Sequence, residues 1–283
     1  MDRAKFRWND ECGWALISVL CIVSMLSLLA AVGQSLTATS YAVEARADLQ
    51  ARADALLNAG IVRAVQAISD PNRSTRWPVD GTPREFTFAE ATLQVSVQDQ
   101  FGCIDLNQAD GTVLRQLLVS VGGMRMEDAD VLADHIRDWR APNTGLKFLH
   151  APRDEDYAAA GLEYRPRHGP FQSVDELQLV LGMAPEVYAR IAPALTVYSK
   201  SPMIDPAVAP QPALLAYLAG IVSKAQTIMS ARAIAGAPAQ PAVPGRAYAV
   251  AVSVTLADRT FRRTAVIMLT GNIARPYFDL AWN

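Results

Sequence analysis

Residues 14–43 read WALISVLCIVSMLSLLAAVGQSLTATSYAV, thirty consecutive positions without a charged side chain. At ~1.5 Å per residue, about 20 apolar residues of helix cross the hydrocarbon core of a bilayer. This run predicts a membrane-spanning helix over residues 14–36. The helical pattern does not stop there. Val43, Ala47, Leu49, Leu56, Leu57, Ile61, Val65 and Ile68 recur every three or four residues, while Glu44, Arg46, Asp48 and Arg52 take the other face. One helix over residues 14–69 is expected, its first half in lipid and its second half packing an apolar stripe on a soluble domain.

Ahead of the run stands a short leader, MDRAKFRWNDECG, with Arg3, Lys5 and Arg7 near its front and Gly13 at its end. Basic residues before an apolar helix favour the leader staying cytoplasmic, and Asp2, Asp10 and Glu11 dilute that cue. A secretory signal would have a shorter apolar core followed by a small-x-small cleavage site. A plain signal anchor is the other ordinary alternative. The chain of 283 residues is 51% apolar, enough to bury a large core in one main domain with an insertion. Its net charge of −2 gives no general attraction to nucleic acid. Of Cys12, Cys21 and Cys103, only the last lies in the soluble part, so no disulfide framework is available to a monomer.

Residues 69–83 (SDPNRSTRWPVDGTP) are rich in turn formers and read as a loop. From Glu85 to Asp99 the sequence alternates, with Leu93, Val95 and Val97 on one face and Gln94, Ser96 and Gln98 on the other. A second short strand, CIDL, follows at residues 103–106. Residues 70–106 are therefore expected to form the first part of a small antiparallel sheet. The period then changes. LRQLLVSVG, EDADVLADHIRDW, SVDELQLVLG and APEVYARIAPAL read as short helices, which predicts an all-α domain inserted over residues 107–200. Ser173 to Glu176 has capping-box spacing, and Gly122, Gly123 and Gly182 stand where left-handed C-caps belong. Ile104-Asp105 before LRQLL and Ile204-Asp205 before LLAYL form a faint repeat, too degenerate for a solenoid. Residues 201–283 close the fold. A connector, one helix over residues 212–235 and a Pro/Ala linker lead to a hairpin turning at Asp258-Arg259, which completes the sheet. The aromatic tail PYFDLAWN is placed at the sheet edge or against a partner. The fold class expected is α+β: a pilin-like long N-terminal helix on a small antiparallel sheet, with a large all-α domain inserted between strands.

A basic leader ending in Gly, then an apolar helix running into an amphipathic one, resembles the type IV pilin and pseudopilin class. That resemblance implies cleavage by a prepilin peptidase after Gly13, with Trp14 as the methylated mature N-terminus. Most of the class carries Glu at the fifth mature position, where this chain has Ser18. A carboxylate in lipid is costly unless paired. In the class that Glu is thought to pair with the terminal amine of the subunit above, so its loss points to a subunit with none above it. IDLNQAD before LRQLL, the Asp138-Trp139 pair, Asp154-Glu155-Asp156-Tyr157, and PFQSVDELQLVLGM before APALTVY resemble the minor pseudopilin K family of type II secretion. The resemblance implies a structural tip subunit that supports export of folded proteins and binds the minor pseudopilins I and J and the inner-membrane secretion platform. It implies a single-pass protein of the bacterial inner membrane with its C-terminal domain in the periplasm.

It also implies calcium. That ion takes six to eight hard oxygens, and the stretch from Asp138 to Glu163 offers Asp138, Asn143, Asp154, Glu155, Asp156 and Glu163. Asp138, Asp154, Glu155 and Asp156 are the candidate ligands, and a solvated acidic loop is the plainer alternative. Arg140, Ala141 and Pro142 stand where the family usually has a further acid, and the twelve-residue calcium-loop spacing is absent. His135, His150 and His168 are dispersed and accompany no hydrolase or metalloprotease motif, and Cys103 reads as a small core residue, so no enzyme is indicated. A membrane-anchored helix-hairpin-helix-like nucleic-acid receptor is the alternative from another class. Residues 99–198 hold fifteen acidic and nine basic side chains, a net of −6 that repels phosphate and weighs against nucleic acid as a partner.

Overall fold

The computed structural model describes residues 11–142, 148–235, 241–272 and 274–282, without the side chains of residues 11–13, 15, 30–42 and 233–235. Two compact units divide the chain, Met1–Ala55 and Leu56–Asn283. The first is helical throughout its described part. Helix α1 covers Glu11–Ile68, close to the expected 14–69. Trp14, Leu16, Ile17 and the apolar residues from Val19 to Leu29 are exposed. Among the described residues no helix is long and apolar enough to cross a membrane. The expected span over residues 14–36 includes positions 15 and 30–36, whose side chains lie outside the described residues, as do the leader's Arg3, Lys5 and Arg7.

The second unit opens with the last turns of α1. Strands β1 (Arg84–Phe88), β2 (Ala91–Asp99), β5 (Ala247–Leu256), β6 (Arg259–Asn272) and β7 (Arg275–Trp282) form one antiparallel sheet in the order β1-β2-β5-β6-β7. Strand alternation sets the inner face. Leu93, Val95 and Val97 point inward with Val250, Val252 and Val254, and meet Leu57, Ile61, Val65 and Ile68 of α1 in one core. Each such side chain removed from water contributes about 1.5–3 kcal/mol. Gly60 permits the close approach, because a Cβ there would sit 2.6 Å from Val252 Cγ1. The buried stripe of α1 is shorter than its sequence pattern: Val43 and Ala47 are exposed and Leu49 is half-buried.

Between β2 and β5 lies the helical insertion, with its own core. It contains β3 (Ile104–Asp105), α2 (Gly111–Ser120), α3 (Met126–Arg140), α4 (Asp154–Ala159), a 3₁₀ turn at Asp175–Leu179, α5 (Pro185–Ile191), β4 (Leu195–Thr196), α6 (Gln211–Tyr217) and α7 (Val222–Ala235). Asp110 caps α2 by accepting from the N–H groups of Thr112 and Val113. Glu127 and Asp128 in the first turn of α3, and Arg137 and Arg140 in its last, complement the helix dipole. Gly123 and Gly182 adopt the left-handed conformation of a C-cap, at φ 71° and 86°, whereas Gly122 does not.

Four expectations are corrected. The alternating segment 85–99 is two strands, because Ala89 and Glu90 both turn left-handed and fold it into a hairpin. The strand at 103–106 does not join the main sheet. Ile104 and Asp105 pair in parallel with Leu195 and Thr196, a two-stranded pairing inside the insertion. SVDELQLVLG yields only a 3₁₀ turn. The helix expected over 212–235 breaks into α6 and α7, since Ala219 and Gly220 take positive φ. The aromatic tail becomes β7, the edge strand beside β6.

Candidate functional site

The acidic stretch singled out by sequence surrounds the C-terminal end of α3. Trp139 packs at 6.3 Å from Tyr157 of α4, 6.4 Å from Tyr164 and 6.3 Å from Phe171, measured between ring centres. Its indole N–H donates to Glu176 Oε1 at 3.0 Å. Glu176 also accepts from the Arg167 guanidinium and the Gln172 N–H. Partial burial alone would raise the Glu176 pKa, but these hydrogen bonds outweigh it and hold the carboxyl below its ordinary value. The cluster thus bolts α3 to α4 and to the 3₁₀ turn.

Asp138 precedes this tryptophan and is buried, with Oδ2 lacking any hydrogen-bond partner. Burial raises its pKa. His168 and His135 oppose the rise, and the like charge of Asp154 adds to it. An orphaned buried carboxylate oxygen costs about 1–3 kcal/mol or more unless something satisfies it. The other three candidates sit at the start of α4, where a loop was expected. Asp154 pairs with Arg165 at 3.2 Å. Glu155 lies 3.8 Å from Arg153. Asp156 accepts from the Arg153 N–H at 2.7 Å and from its guanidinium at 3.2 Å, so that its pKa falls. The fold therefore brings Asp154 toward Asp138 and turns Glu155 and Asp156 to Arg153. Among the described residues no three carboxylate, histidine or cysteine side chains gather into a metal-binding group. Glu163 is exposed, and Asn143 lies outside the described residues.

His135 bonds the Leu181 carbonyl through Nδ1, and His150 meets Asp134 at 3.1 Å. Cys103 is buried, and burial pushes its thiol up to about 12, as befits a core side chain. At the other candidate site Gly13 lies inside α1 and Trp14 is exposed. Ser18, where the pilin class carries Glu, donates its hydroxyl to the Trp14 carbonyl at 2.8 Å.

A helix packed on an antiparallel sheet, interrupted between β2 and β5 by a helical insertion with its own core, is the α+β fold expected, a pilin-like arrangement with an insertion. A family model described as type II secretion system (T2SS), protein K matches residues 95–200. A curated relative, the type II secretion system protein K of Klebsiella pneumoniae, is 25% identical over 241 residues, covering 78% of this chain and 73% of that protein. The crystal structure of the GspK-GspI-GspJ complex from the type 2 secretion system of enterotoxigenic Escherichia coli contains a chain with the same fold. It superposes with a TM-score of 0.62 at 12% identity, over 85% of this chain and 98% of that one. The chain is thus similar to protein K of type II secretion systems, in sequence most directly over residues 95–200 and in fold over most of its length.

Proposed function

We propose that this chain is the structural subunit capping the tip of a type II secretion pseudopilus, where it supports export of folded proteins across the outer membrane. The observation that carries this is the insertion: a folded domain with its own core, set between two neighbouring strands of the sheet. Such a bulk is hard to repeat along a tight helical stack and easy to place once, at an end. Ser18 supports the same place, because its hydroxyl is satisfied within its own helix and asks nothing of a subunit above.

In this reading the chain crosses the bacterial inner membrane once through α1, with its C-terminal domain in the periplasm. A prepilin peptidase cuts between Gly13 and Trp14, and Trp14 is then methylated. The partners are the minor pseudopilins I and J, bound mainly along the exposed face of α1, and the inner-membrane platform. The complex in which the similar fold occurs supports the first two. Mass spectrometry of the N-terminus from native membranes tests the processing. A chain beginning at N-methylated Trp14 is expected, and one beginning at Met1 or after the apolar run removes the assignment. Co-purification with I and J from the same membranes is the companion result.

Calcium fits the orphaned oxygen of Asp138, with Asp154 the next ligand and main-chain carbonyls completing the shell. Glu155 and Asp156 join only if Arg153 releases them. Thermal unfolding of the full chain should rise with calcium and fall with chelator, and Asp138→Asn should abolish the difference. An unchanged transition in wild type removes the ion.

A further inference from the structure

Among the described residues seven polar or charged side chains are buried. Asp138 is one. The other six, Asp99, Gln100, Asp105, Thr196, Ser199 and Arg232, all lie where the insertion meets the sheet. Asp99 ends β2, and its two oxygens take the Phe101 N–H at 2.9 Å and the Arg246 guanidinium at 3.0 Å. Arg246 stands just before β5, where the chain returns to the sheet, and stacks over Phe101 at 4.3 Å. Inward of this pair, Thr196 donates to Gln100 at 2.7 Å, and Asp105 accepts from Ser199 and from the Lys200 N–H. Across the same boundary the Asp205 N–H donates to the Phe101 carbonyl at 2.7 Å and Gln98 to the Val208 carbonyl at 2.8 Å. Gly102 allows the contact, since a Cβ there would lie 2.6 Å from the Val208 oxygen.

Val208, between β4 and α6, is buried in the core of the sheet; elsewhere the two apolar cores are closed separately and joined by directional polar bonds. A buried hydrogen-bonded network holds one geometry and fails all at once, because each partner left behind in a low dielectric is costly. Separating the layers would expose mainly polar groups, with Val208 the apolar side chain withdrawn from the core of the sheet. One member would gain from the separation. Arg232 donates to the Ala209 carbonyl, while its Nε and Nη2 are buried without partners. Water would satisfy both on opening.

We propose that this seam is a latch, and that the helical insertion opens from the sheet as one folded unit when it gives way. The latch would let the insertion change its orientation without melting either core, which a continuous apolar interface would forbid.

Native-state hydrogen exchange on the full chain in detergent micelles tests this, using wild type and Arg246→Met, which leaves the Asp99 carboxylate without its partner. The seam amide of Asp205, bonded to the Phe101 carbonyl beside Asp99, should exchange about tenfold faster or more in the variant, since a buried bond to a charged group is lost. Amides within the cores, such as Val121 and Ala133 in the insertion and Val250 and Val252 in β5, should stay within about twofold of wild type. Should Arg246→Met fail to fold, Thr196→Val cuts the buried bond to Gln100 without changing shape and should give the same pattern with a smaller ratio. Equal acceleration at seam and core amides, or no change at any of them, would overturn the latch.

Discussion

Asp99 shows how a single side chain can set a pH response. Burial raises its pKa, and the Phe101 N–H and the Arg246 guanidinium only partly offset that rise. A carboxyl whose folded value lies above its unfolded value of 3.8 favours folding most when protonated. Its contribution is complete below the unfolded value and is lost as pH climbs through the folded one. Wild type should therefore gain on Asp99→Asn at acid pH and lose ground toward neutrality. The difference in melting temperature between the two, followed from about pH 4 to about pH 7, checks this. A difference that is flat or rises with pH contradicts the burial account. Residues of this kind were only half legible in the sequence. Asp138 stood out as an acid beside a tryptophan, but its orphaned oxygen comes from packing among α3, α4 and residues distant in the chain. Glu155 and Asp156 looked equivalent to it and are not, because the N-terminal turn of α4 gives them to Arg153.

Among the elements, periodicity carried furthest where the pattern was long. Helix α1, helices α2 and α3, and the hairpin of β5 and β6 were all visible as repeats of three to four or of two. What escaped was the turn at Ala89-Glu90; the turn expected at Asp258-Arg259 falls one residue earlier, at Ala257-Asp258, and both turns hold non-glycine residues with φ between 47° and 65°. Glycine or asparagine usually announces such a turn, and neither does here, so β1 and β2 read as one strand. Parallel pairing of β3 with β4 was hidden for another reason: two residues offer no period to detect. The strain left in these turns has a measurable counterpart. An L-residue in the left-handed region costs about 1–2 kcal/mol, and asparagine tolerates it better than alanine. Ala257→Asn should stabilise the protein by about 0.5–1 kcal/mol, seen as a higher midpoint in chemical denaturation with an unchanged slope. A lower midpoint would show that the methyl group of Ala257 matters more than its backbone.

For the molecule as a whole, the place of the insertion in the strand order has a consequence in time. Leu93 of β2 pairs with Val254 of β5, and every residue of the insertion lies between them. Contacts within α2 and α3 are local, whereas the central pairing of the sheet joins residues far apart in sequence, and such pairings form slowly. Trp139 sits in the core of the insertion and Trp77 in the core of the sheet, so each reports one of them. With the other tryptophans replaced, refolding should bring the Trp139 fluorescence to its final value before that of Trp77. Simultaneous signals would mean that the two form in a single step. A chain emerging from synthesis meets the same order. Strand β2 is finished early and must wait, unpaired on the side destined for β5, until the whole helical domain has been delivered. The interval is one in which a chaperone or a sibling chain would find an open strand, and its length is set by the size of the insertion itself.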